Sequence, residues 1–182
     1  ERHPRPGMET STHNSGVIHA GLYYPAGTLK AQLCVEGRER LYAFCREHGV
    51  PHRRCGKLVI AHEDADVPRL HALKASGDAN GVTGLRIVDR GFIAEREPMA
   101  SGVAALYSPV SGIVEAEALV QTLQRLAAAG GAIILPGTRL IAAASEADGM
   151  RLVTEREEIV AGQVVNAAGL YADEVSRLLG GQ

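Results

Sequence analysis

No run of basic residues occurs in the sequence, and neither charge is in real excess: 19 Lys and Arg stand against 21 Asp and Glu, a formal charge of −2 over 182 residues. Nucleic acid and anionic membrane surfaces are recognised through clustered Lys and Arg, so neither is an expected partner. Apolar stretches are soon interrupted, well short of the roughly 18 residues that a spanning helix needs, and no signal peptide opens the sequence. Cysteine is scarce: Cys34, Cys45 and Cys55 are an odd, scattered set. They make no secreted disulfide scaffold, so a reducing compartment, the cytoplasm, is expected, with peripheral membrane association left open.

Metal-binding spacing is missing too. His48 and His52 are separated by Gly49 and Pro51, which deny them one continuous helical face; His13 and His19 have no third ligand at a fixed spacing, and no Cys-x-x-Cys occurs. No metal is therefore expected. The Gly-x-Ser-x-Gly nucleophile turn, the phosphate-binding P-loop and a complete Gly-x-Gly-x-x-Gly fingerprint are all absent. If a dinucleotide binds, the residues that hold its pyrophosphate most directly are not in this sequence.

What is present fits an ordinary globular α/β protein: 46% apolar and 22% charged residues, with 21 Gly to serve many short connections. The first residue is Glu1, and the Pro- and Gly-punctuated opening reads like the middle of a longer chain. Residues 1–27 predict an extended loop with a short apolar run at 17–24. Thr28 is a natural N-cap for a helix that places Leu29, Leu33, Cys34, Leu41, Phe44 and Cys45 on one face and stops at Gly49. A strand is expected at 57–61, a helix at 64–74 with Pro68 in its early turns, and a loop at 77–84. Residues 87–98 are ambiguous, and a short apolar segment at 104–107 precedes the turn-rich 108–112. A second amphipathic helix at 115–129 carries Leu119, Val120, Leu123, Leu126 and Ala127, and Gly130 stops it. A short buried strand is expected at 132–135, then a β-meander at 139–145, 150–154 and 159–165.

Two segments have the residue types for chemistry. Val164-Val-Asn-Ala-Ala-Gly-Leu-Tyr-Ala-Asp173 predicts a buried strand, a small-residue turn and a helix start. Ala167, Ala168 and Gly169 let a ligand approach the backbone beside unpaired helix amides, or simply allow close packing of helix on strand. Thr10-Ser-Thr-His-Asn-Ser-Gly-Val-Ile-His-Ala-Gly-Leu-Tyr-Tyr24 concentrates hydroxyl, amide and imidazole groups among apolar neighbours. That density suits a loop wrapped around a polyphosphate or a heteroaromatic ring. Cys34 and Cys45 read as core thiols.

Together with Leu29-Lys-Ala-Gln-Leu-Cys-Val-Glu-Gly37, Gly56-Lys-Leu-Val-Ile-Ala61 and Leu106-Tyr-Ser-Pro-Val-Ser-Gly-Ile-Val114, these segments resemble the FAD-dependent oxidoreductases of the D-amino-acid oxidase superfamily, most nearly the L-2-hydroxyglutarate oxidase or dehydrogenase branch. The resemblance implies an α/β fold: an FAD/NAD(P)-binding Rossmann-like domain of the glutathione-reductase type, without its first βαβ unit, and part of a substrate domain. On that reading residues 1–49 and 112–182 belong to the FAD domain and 50–111 to the substrate domain, with the sequence truncated at both ends. FAD is the implied cofactor. Glu1 would bind the adenosine ribose, and Thr10 and Ser11 would lie by the pyrophosphate or ribityl chain. His13, Asn14, Ser15, Gly16 and Val17 would run toward the isoalloxazine. Leu140 would touch adenine through its backbone, and Ala167, Ala168 and Gly169 would close over the cofactor. His19 would be the catalytic base, or a histidine that hydrogen-bonds flavin or backbone. Tyr23 and Tyr24 would bound the substrate pocket or merely pack. The implied reaction is oxidation of a 2-hydroxy acid to a 2-oxo acid, with oxygen or a quinone-type molecule as electron acceptor. The alternatives are an amino-acid or glycerol-3-phosphate oxidase of the same superfamily, or a non-catalytic remnant.

Overall fold

Helix α1 (Leu29–His48) begins and ends on local signals. The Thr28 hydroxyl accepts the Ala31 amide proton at 3.3 Å, and Gly49 closes the helix in the left-handed region at φ 70°. Its buried face differs from the expected one: Ala31, Arg38, Tyr42 and Cys45 point inward, while Leu29 and Leu33 are 68% and 55% exposed. The reason is that the inward polar groups are satisfied. Arg38 Nη1 donates to the Ala20 carbonyl at 2.9 Å and Nε to Glu39, and the Tyr42 hydroxyl donates to the Val110 carbonyl at 3.1 Å. A buried polar group with partners costs little, and its long stem still covers apolar surface.

The computed structural model describes residues 1–181, which form two compact units: Asn14–Leu119, and Glu1–His13 with residues 120–181. The Asn14–Leu119 unit holds two three-stranded sheets. In one, β1 (Val17–Ile18) and β2 (His52–Arg53) flank β6 (Gly112–Val114); in the other, β3 (Lys57–Ala61) and β4 (Arg86–Asp89) flank β5 (Ala104–Ser108). A 3-10 turn at Asp64–Asp66 leads into α2 (Val67–Ala79), with Pro68 in its first turn. This helix runs into the expected loop because Gly77 gives it close packing: a Cβ there would lie 2.5 Å from Leu85 and 2.9 Å from Leu22. The ambiguous stretch resolves as β4 followed by α3 (Arg90–Arg96), capped where Asp89 accepts the Phe92 amide proton. Leu22, Ala61, Leu70, Leu85 and Leu106 form the main core.

The second unit contains most of α4 (Ala116–Ala129), the meander β7 (Leu140–Glu146), β8 (Gly149–Thr154) and β9 (Glu158–Ala161), and α5 (Ala172–Leu178). The expected meander is there. The expected buried strands at 132–135 and 164–165 are not: both segments lie outside the sheets, with Ile133 86% and Val165 87% exposed. Among the described residues no strand pairs with either one, so neither backbone joins a ladder. None of the apolar residues of α4 is buried either. Every strand pair among the described residues is antiparallel, and no helix among them is long and apolar enough to cross a membrane.

Candidate functional site

In the unit formed by Glu1–His13 and residues 120–181, a cavity of about 500 Å³ opens between the chain start and the last helix. Glu1, Thr10, Ser11, Leu140, Ala167, Ala168 and Gly169 all line it, so seven of the candidate cofactor contacts meet in one place. The chain start is held there by backbone bonds: the Thr138 amide donates to the Glu1 carbonyl at 2.8 Å and the Gly137 amide to that of His3 at 2.6 Å. Asn166 fixes the small-residue turn that lines the cavity, accepting the Ala168 amide proton at 3.2 Å and donating to the Ala172 carbonyl at 2.7 Å. Gly169 has φ +57° and open space where a Cβ would stand, so nothing fills the cavity at that point.

Among the further lining residues, none of them a candidate from the sequence, four form a cluster: Arg2, His3, Glu9 and Tyr171. His3 Nε2 lies 2.5 Å from Glu9, whose carboxylate also accepts from the Tyr171 hydroxyl, and the Arg2 guanidinium stacks 4.1 Å over the Tyr171 ring. The His3 hydrogen bond, above all, holds the Glu9 carboxyl below its usual range. Only their closeness to Glu1, Thr10 and Gly169 in the sequence signalled them. His13 belongs to this unit but turns from the cavity, its Nδ1 against the Glu9 carbonyl at 2.8 Å.

The remaining candidates lie in the Asn14–Leu119 unit. Asn14 Oδ1 accepts the Gly16 amide proton at 2.7 Å, Ser15 is exposed, and Val17 enters β1. His19 follows that strand with its backbone held by α1: Cys34 Sγ donates to the His19 carbonyl at 3.6 Å, and Arg38 holds the next carbonyl. Its ring is exposed, and neither ring nitrogen is engaged in a hydrogen bond among the described residues. Partial burial, then the positive charge of Lys57, push the imidazole below its ordinary 6.5, which favours the neutral form that can accept a proton. Lys57 Nζ sits 4.9 Å over the Tyr23 ring, and Lys30 Nζ 4.7 Å over Tyr24.

Asn80, from the end of α2, fixes the tyrosine turn by donating to the Gly21 carbonyl at 2.9 Å and to that of Tyr24 at 2.8 Å. Asn80→Ala leaves both carbonyls without that partner. It is expected to lower stability by about 1–3 kcal/mol in chemical denaturation and to raise protease sensitivity at residues 21–25.

Residues 1–182 all match the family described as FAD dependent oxidoreductase. The chain belongs to that family. It is 40% identical over 180 residues to the human mitochondrial L-2-hydroxyglutarate dehydrogenase, covering 92% of this chain and 39% of that protein. It is 36% identical over 170 residues to the L-2-hydroxyglutarate dehydrogenase of Indibacter alkaliphilus, covering 91% and 42%. Among solved structures it is similar to the FAD-bound L-α-glycerophosphate oxidase of Mycoplasma pneumoniae, with TM-score 0.90 and 24% identity over 98% of this chain and 49% of that one. Glycine oxidase from Geobacillus kaustophilus matches with TM-score 0.89 and 22% identity over 99% and 50%. The mixed α/β fold is thus the one these oxidoreductases share, and the chain spans about two fifths of these curated relatives and half of the solved ones.

FAD is the cofactor of this family, and the cavity suits its adenosine diphosphate end. A carboxylate for a sugar diol, hydroxyls and two arginines for phosphate, and Ala and Gly residues that leave room for a bulky group are all in its lining.

Proposed function

We propose that the protein oxidises a 2-hydroxy acid of the L-2-hydroxyglutarate type to the corresponding 2-oxo acid. FAD, when bound, supplies the acceptor for the hydride that leaves the carbinol carbon. The observation that carries the reading is His19: an accessible imidazole whose surroundings favour its neutral form, with neither ring nitrogen hydrogen-bonded among the described residues and a cation nearby. It takes the hydroxyl proton as the C–O bond gains its second bonding pair, so that the proton goes to the protein and the carbonyl is left on the product. Glu1, Thr10, Ser11, Leu140, Ala167, Ala168 and Gly169 hold the adenosine diphosphate end, while His13, Asn14, Ser15, Gly16 and Val17 serve the flavin end. Tyr23 and Tyr24 bound the substrate.

Residues 50–111 contribute to a substrate domain, and 1–49 and 112–182 to the FAD domain. Oxygen or a quinone-type molecule removes the electrons afterwards. The free state of Cys34, Cys45 and Cys55 supports a reducing compartment such as the cytoplasm. The L-2-hydroxyglutarate dehydrogenase names of the relatives support the substrate class.

The test is the visible spectrum of the protein made from its full reading frame, before and after L-2-hydroxyglutarate is added without oxygen. Flavin bands that bleach are the expected result. Bands that persist remove this substrate, and a folded, colourless protein removes the enzyme reading.

A further inference from the structure

Three lysines occur in the sequence, and they are used differently. Lys74 is paired with Asp78 at 2.7 Å along α2, a surface pair of ordinary kind. Lys30 and Lys57 lie instead over the rings of Tyr24 and Tyr23, and neither forms an ion pair among the described residues. Of the two, Lys57 has the rigid base. It opens β3 opposite Ser108 of β5, in a strand with partners on its ladder from Lys57 to Ala61. Gly56 before it is held by donation to the Ser111 carbonyl at 2.9 Å, in a left-handed conformation at φ +81° where a Cβ would meet the Tyr107 ring at 2.7 Å. The root of the side chain is fixed, then, while its ammonium stands by the exposed Tyr23 ring and close enough to His19 to act on it electrostatically.

An ammonium with no carboxylate partner among the described residues, seated on an aromatic face and within electrostatic range of a proton acceptor, is arranged to receive an anion. We propose that Lys57 binds the carboxylate adjacent to the carbinol carbon of the substrate, and so sets that carbon's hydroxyl against His19. This rests on the 2-hydroxy-acid reading above and adds to it the residue that selects an acid over a neutral alcohol. The side chain makes a charge-assisted hydrogen bond to one carboxylate oxygen; the tyrosine ring keeps the ammonium from wandering on its four-carbon stem. No bond to carbon is made or broken at Lys57, so its contribution falls on binding and alignment.

The experiment uses the full-length, FAD-loaded protein and 2-oxoglutarate as the probe, measured by equilibrium dialysis without turnover. Lys57→Met is expected to weaken binding by about ten- to a hundredfold, the loss of one charge-assisted contact, and to raise KM for L-2-hydroxyglutarate more than it lowers kcat. Lys57→Arg keeps the charge and recovers most of the affinity. Thermal midpoints accompany each variant, and Lys57→Gln replaces Lys57→Met if the latter does not fold. Affinity unchanged in a folded Lys57→Met or Lys57→Gln protein overturns the assignment while leaving the reaction class intact. Wild-type protein that binds no 2-oxoglutarate at millimolar probe overturns the 2-hydroxy-acid reading itself, and Lys57 with it.

Discussion

His19→Ala in the full-length enzyme is expected to lower kcat by roughly a hundredfold or more, the usual contribution of a positioned base. Flavin content is expected to stay unchanged, because His19 is not among the residues lining the cavity that suits the cofactor's adenosine end. The pH profile is a second signature. The base works when deprotonated, and both causes acting on His19, partial burial and the Lys57 charge, favour that form. Activity therefore holds as pH falls through neutrality and declines only below the ordinary 6.5, in the acid limb of kcat/KM. Removing the Lys57 charge takes away one of the two causes, so the limb moves to higher pH in Lys57→Met. Stopped-flow reduction of the flavin across a pH series measures both. A variant that reduces flavin at the wild-type rate removes His19 from proton transfer and leaves it the duller role of hydrogen-bonding flavin or backbone.

Much of the chain could be read from its sequence wherever the signal was local. Thr28 and Gly49 bound α1 because a cap needs only its own helix turn, and the meander follows from alternation between turn residues at Asp148-Gly149 and Arg156-Glu157. The face of α1 was not legible, because Arg38 and Tyr42 point inward only where the Ala20 and Val110 carbonyls await them, and those lie on other parts of the chain. Residues 132–135 and 164–165 carry the composition of buried strands, yet burial depends on a neighbouring strand that their composition does not supply. The cavity shows the same division. Glu1, Thr10, Ser11 and the Ala167–Gly169 turn followed from a resemblance over several segments, whereas the junction that joins His3 and Glu9 to the distant Tyr171 had no signal beyond closeness in sequence to those residues.

Gly16→Ala is expected to destabilise the protein by about 2–4 kcal/mol, even without cofactor. Gly16 has φ +62°, which costs an alanine about 1–2 kcal/mol, and a Cβ built there lies 2.5 Å from the Val114 carbonyl oxygen. The contact falls on backbone that has little room to move, since the Val114 amide donates to the Gly16 carbonyl at 2.8 Å and Val17 pairs with Ile113 in the next step of the ladder. Relief of the clash therefore opens the β1–β6 pairing and adds the loss of a backbone hydrogen bond, about 1 kcal/mol. Gly27→Ala is the control: φ is +79°, but nothing lies within 4 Å of its Cβ position, so only the conformational cost applies. The difference between the two variants in urea denaturation isolates the clash. It also separates two reasons for a glycine in this segment. If Gly16 served only to let a flavin approach the backbone, the apoprotein would treat Gly16→Ala like Gly27→Ala and only cofactor affinity would fall; if it first makes room for the Val114 carbonyl, stability falls in the apoprotein too. The crowding against Val114 favours the second outcome, and because β1 leads directly to His19, the same substitution is expected to reduce kcat in whatever fraction still folds.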